Sequence, residues 1–134
     1  MRVKVISALG MIILLSMFIP APGYAQKATT YPAESELYTH DDIDEATEVI
    51  KKYFKTFKNC RLEEIHYAGD EESQSLPSAH VTADDEVLVL RSTFRTTGNV
   101  ISSGLDDYKT YPNWNWILKR SETGEWIHVD HGYP

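Results

Sequence analysis

Apolar side chains recur at Ile43, Ala46, Val49, Ile50, Tyr53, Phe54 and Phe57, at spacings of three and one. That spacing lays a single stripe along a helix and predicts one over about residues 41–58. The polar positions agree. Thr39 and Asp42 have the spacing of a capping box with the shorter acid. Asp41, Asp42, Asp44 and Glu45 crowd the first turns, and Lys51, Lys52, Lys55 and Lys58 the later ones, as a helix dipole favours. Glu48 and Lys52 stand four apart in the better orientation for pairing. Asn59 is placed to end the helix.

Beyond Asn59 the pattern changes. Leu62, Ile65 and Tyr67 alternate imperfectly and predict a strand over 62–67. Residues 69–78 are acidic and polar and read as a turn region. Residues 86–97 read as a long strand: Val87, Leu88, Val89 and Leu90 suggest burial on both faces, and Ser92, Thr93, Phe94 and Thr96 suit a pleated surface. Residues 98–113, with Gly104, Asp106, Asp107 and Pro112, are irregular, and loops this long often line a site. A hairpin closes the chain, with arms over 114–120 and 126–133 and a turn over 121–125, where Gly124 supplies positive φ. By alternation, Trp114, Trp116 and Leu118 share one face. On the return arm Ile127 and Val129 share a face, with Trp126, His128 and Asp130 on the other. Together these elements predict an α+β fold: one long N-terminal amphipathic helix packed on a curved antiparallel sheet of about four strands.

The first 25 residues have a different pattern. Arg2 and Lys4 form a positive head, residues 5–19 are an apolar run without a charge, and Pro20 and Pro22 break it. Gly23 and Ala25 are the small residues of a cleavage site ahead of Gln26, which is the layout of a secretory signal peptide. The run is shorter than the roughly 20 residues of a spanning helix. The division expected is a signal peptide over 1–25, a flexible leader over 26–40 and a single α+β domain over 41–134. The protein is then secreted or extracytoplasmic, with no stable membrane span after signal cleavage. A retained N-terminal anchor is the alternative.

Charge narrows the partners. The chain carries a net charge of −7, and without Arg2 and Lys4 it holds 11 basic and 20 acidic residues. An acidic domain is repelled by nucleic acid and by anionic membrane surfaces, so no nucleic-acid partner is expected. Cationic peptides, cationic wall components and divalent cations stay compatible. Cys60 is the single cysteine, so no internal disulfide can form, and it reads as a small apolar residue rather than a reactive thiol.

The closing motif W-x-W-x-L-x-R…G-x-W-x-x-x-D-x-G-x-P falls on Trp114, Trp116, Leu118, Arg120, Gly124, Trp126, Asp130, Gly132 and Pro134. With the amphipathic helix and the long central strand, it resembles an uncharacterised family of small secreted proteins of low-GC Gram-positive bacteria. The general form is similar to the nuclear-transport-factor-two-like, cystatin-like superfamily. The resemblance covers about residues 41–134 and implies a cystatin-like or reduced nuclear-transport-factor-two-like cone. That superfamily hosts isomerases, cyclases and dehydratases beside non-catalytic ligand and assembly modules, so fold analogy does not choose a chemistry.

The catalytic candidates are His128, Asp130 and Tyr108. His128 and Asp130, two apart on a strand, would share a face and supply an acid–base pair, or two metal ligands. Two ligands are too few for tight zinc, with only His40 and His66 as further candidates, His80 in a loop, and Asp106-Asp107 lacking calcium-loop spacing. No metal and no cofactor is therefore expected. Asp130 could instead tie down the turn at Gly132. Tyr108, Tyr111, Trp114 and Trp116 form an aromatic set that would stack on a ligand or build a core without disulfides. Two functions remain open: a secreted, non-catalytic domain binding a small ligand or protein, or a small cone-type enzyme using His128 and Asp130.

Overall fold

The computed structural model describes residues 21–25, 27–76 and 78–133. Residues 1–20 of the expected signal peptide, Gln26 at the expected cut and Pro134 of the closing motif lie outside them. The elements run β1 (Thr29–Thr30), α1 (His40–Tyr53), β2 (Cys60–Tyr67), α2 (Asp70–Ser75), β3 (Val87–Thr96), β4 (Thr110–Arg120) and β5 (Trp126–Gly132). One sheet holds the strands in the order β1-β2-β3-β4-β5.

Helix α1 starts where the capping box places it: Thr39 Oγ1 accepts from the Asp42 amide and the Asp42 carboxylate from the Thr39 amide. Ile43, Ala46, Ile50 and Phe54 of the stripe are buried, and Val49, Tyr53 and Phe57 pack against the core edge. The helix is shorter than its stripe, because Phe54–Thr56 tightens into a 3-10 turn. Asn59, at φ 58°, then reverses the chain into β2.

Three expectations about the architecture are corrected. The sheet has five strands and is mixed, because Thr29–Thr30 pairs parallel to β2, against Glu64 and Ile65. The helix does not open the fold: it is 14 residues plus the three-residue 3-10 turn, and β1 precedes it. A second helix, α2, lies in the acidic stretch read as a turn. One long N-terminal helix on about four antiparallel strands is therefore not the architecture; the coarser α+β class holds. The physical reason for α2 is an edge. Beyond Tyr67, β2 no longer covers β3, and the Val89 amide donates to Ser73 Oγ of α2 instead (3.0 Å). Val89 and Ile117 are buried on the sheet face away from α1, which fits the unbroken apolar run in β3.

Three bulges shape the sheet, at Leu62/Glu64, Ser92/Phe94 and Ile117/Leu118. Each shifts the alternation by one residue, so side chains three apart come to share a face. In β4 the bulge holds Pro112 and Asn113, with Asn113 left-handed at φ 55°, and both Tyr111 and Trp114 turn toward α1. Arg120 clasps the far end: it lies 4.2 Å over Trp126 and pairs with Asp42 (3.1 Å) and Glu86 (2.6 Å).

Residues of the expected leader and signal pack against this domain. Tyr24 bridges to Arg61 of β2, and Ala25 is part of the buried core.

Candidate functional site

The bulge in β5 decides which polar groups meet. Trp116 pairs with His131, Ile117 with Asp130 and Leu118 with His128, so Val129 is the extra residue. His128 and His131 consequently both face α1, and Asp130 faces the opposite side. The alternation that would put His128 and Asp130 together fails for this reason. His131 Nδ1 and His128 Nε2 are 3.2 Å apart, with the rings nearly parallel at 19°. One neutral imidazole donates to the other at that distance. Tyr53 lies on His128 at 4.1 Å between ring centroids, and Trp114 stacks on His131 at 6.0 Å.

Burial favours the neutral form of both rings. It pulls His128 down to about 4, helped by its neighbour His131 and opposed by Asp130. Burial lowers His131 too, and Asp130 opposes it. Asp130 itself accepts from Ser78 Oγ (3.0 Å) and from the His131 amide (2.9 Å), so it fixes the strand's backbone from the other face.

His131 opens onto a cavity of about 450 Å³ between the 3-10 turn that ends α1, the start of β2 and the loop before β4. Phe57, Trp114, Val100 and Leu105 give it apolar walls, and Lys58, Asn99, Ser102 and Ser103 a polar rim. Cys60 also borders it. Burial pushes that thiol up to about 11, and its Sγ donates to the Lys58 carbonyl, so it is not a nucleophile near neutral pH. Among the described residues no carboxylate lines the cavity. The Trp114 indole N–H is buried and has no acceptor among the described residues.

The other expected site residues lie elsewhere. Tyr108 is 80% exposed, left-handed at φ 52°, and its hydroxyl lies over Gly98. Trp116 is fully buried and donates to Ser92 Oγ (2.8 Å). Tyr111 is buried, stacks on Phe94 and accepts from the Asp106 amide. Of the aromatic set, Trp114 alone lines the cavity, and His128, Asp130 and Tyr108 do not converge. His40 begins α1, His66 lies against Tyr31 at the β2 edge and His80 is in a turn. No group of three or more His, Cys, Asp or Glu side chains able to hold a metal occurs among the described residues. No helix there is long and apolar enough to cross a membrane. The sequence offered two unused signals for the cavity: Val100 and Leu105 are apolar residues inside a polar loop. The pairing of His131 with His128 had none, because a bulge leaves no mark on alternation.

Comparison with protein-family models, curated proteins and solved structures gives no match, so the chemistry of the site rests on its geometry.

Proposed function

We propose that this is an extracytoplasmic, non-catalytic domain that binds a small amphipathic ligand in the cavity beside His131. The observation that carries the proposal is the lining itself. A cavity of about 450 Å³ is the size of a small-molecule site. It pairs aromatic walls with a rim of Lys58, Asn99, Ser102 and Ser103, on a chain with excess negative charge. Phe57 and Trp114 suit a flat apolar body. Lys58 and the hydroxyls suit an anionic or hydrogen-bond-accepting end. The apolar N-terminal run with its positive head supports export.

The catalytic alternative needs a base with an orienting partner. His131 has His128 as its partner, a second neutral imidazole, while the carboxylate of Asp130 is on the other face. This arrangement favours binding over turnover.

The test uses 8-anilinonaphthalene-1-sulfonate, a flat apolar anion, followed by its fluorescence at neutral pH. One probe per chain is expected to bind, with a dissociation constant in the micromolar range. Ser102→Trp, at an exposed rim position, fills the cavity and weakens binding by about tenfold or more, which corresponds to roughly 1.4 kcal/mol. Undiminished binding in that variant, or none at all below millimolar probe, would refute the site.

A further inference from the structure

Residues 21–25, which precede the expected cut, are built into the domain. The Asn59 amide donates to the Ala21 carbonyl (2.9 Å), and the Ala21 amide donates to Asn59 Oδ1 (3.0 Å). Tyr24 exchanges two bonds with β2: its amide donates to the Cys60 carbonyl (3.0 Å), and its carbonyl accepts from the Leu62 amide (2.7 Å). Gly23 lies so close to the end of α1 that a Cβ there would stand 2.0 Å from the Phe54 carbonyl oxygen. Ala25 is 6% exposed inside the core. A domain starting at Gln26 would lack all of this: a bare edge at Leu62 and a hole where Ala25 sits. The alternative cut with small residues at its third and first positions, Ala21 and Gly23, keeps Tyr24 and Ala25 but removes the Ala21 bonds to Asn59 and the close fit of Gly23 against Phe54.

The same segment walls a groove of about 730 Å³ with Glu48, Lys51, Lys52 and Lys55 on its other side. Lys51 pairs with Glu48 (3.6 Å); Lys52, Lys55 and the exposed Lys58 make no ion pair among the described residues. Four of the 11 basic residues that follow residue 20 thus fall within eight positions, on a chain that is otherwise acidic. The helix dipole accounts for their place along α1. It does not account for their lying beside the point where the apolar run of residues 5–19 joins the domain.

We propose that this chain keeps its N-terminal apolar segment as a membrane anchor, and that the lysine face of α1 rests on an anionic bilayer. Arg2 and Lys4 hold the start of the segment on the cytoplasmic side, which places the domain outside. Ala21, tied to Asn59, brings the chain out of the lipid next to Lys55 and Lys58. A short apolar run alone holds a membrane weakly, and a basic patch at its base supplies the second attachment. The anchor does not depend on what the cavity beside His131 binds.

The experiment uses the full chain. The N-terminus of the protein recovered from a secreting bacterial host is determined by mass spectrometry. Residues 1–25 are expected to be present, with the protein in the membrane fraction. The purified chain is then reconstituted in vesicles of phosphatidylcholine, with and without about one-third phosphatidylglycerol, and its lysines are labelled with an amine-reactive reagent. Lys52 and Lys55 are expected to label about threefold or more slowly on the anionic vesicles, with the difference lost at high salt, while Lys109 and Lys119 are unchanged. An N-terminus at Tyr24 or Gln26 overturns the anchor. Equal labelling of Lys52 and Lys55 on both vesicles overturns the docking face. Neither result alters probe binding at the cavity, which is read separately.

Discussion

Phe54 is the residue on which the two layers meet. It is fully buried, with Phe57, Phe94 and Trp116 within 5.2–6.1 Å between ring centroids. Its replacement by alanine removes a ring that rigid neighbours cannot replace. Phe54→Ala is expected to cost about 3–5 kcal/mol in urea denaturation. A loss under about 1 kcal/mol would mean that the stripe is not the core. That role was legible in the sequence, because a stripe of period 3.6 ending in large aromatics has few other uses. His128 and Asp130 show the opposite case. Their spacing is clear, yet the extra Val129 reverses what spacing implies, and no residue type announces a bulge there. Asp130 accepts from the His131 amide and from Ser78, and not from the Gly132 turn, among the described residues.

At the scale of elements, β5 carries a consequence for pH. His128 and His131 are held neutral between Tyr53, Phe57, Trp114 and Trp116, with Asp130 the acidic group nearest them along the strand. A folded pKa of about 4 for His128 lies below the ordinary 6.5. The unfolded chain therefore takes up protons that the folded chain refuses as pH falls from about 6.5 to about 4, and stability falls over that window. His131 and His66, both also lowered by burial, act in the same direction. Asp42 is held low by the Thr39 amide and Asp70 by Ser35, so their losses come at lower pH. His128→Gln is expected to flatten the decline between pH 7 and 4.5 by about 1–2 kcal/mol in denaturant titrations. Parallel curves for the two proteins would contradict the buried neutral pair. The elements themselves were mostly legible: β3 and the closing hairpin fall within a few residues of their patterns. α2 was not, because six polar residues show no period, and its role is to cover an edge that only the assembled sheet possesses.

At the scale of the molecule, the α+β class follows from one amphipathic helix and a run of strands, but the fifth strand does not. Thr29–Thr30 is too short to show alternation, and its parallel pairing runs in the same sense as the bridge of Tyr24 to Arg61. The cavity was equally hidden. Its walls come from the turn ending α1, the start of β2, the loop before β4 and His131, and only the closed fold brings these together. The central claim is that this cavity takes a ligand against Trp114. The three tryptophans allow a direct reading, because their indole N–H groups are in three different places: Trp114 at the cavity, Trp116 bonded to Ser92 in the core, and Trp126 under Arg120. Titration of the isotopically labelled protein with 8-anilinonaphthalene-1-sulfonate, followed by two-dimensional NMR, is the decisive measurement. The account predicts a saturating shift of the Trp114 indole resonance, with those of Trp116 and Trp126 nearly still. A shift confined to Trp126, or no shift of Trp114 at saturating probe, would contradict it.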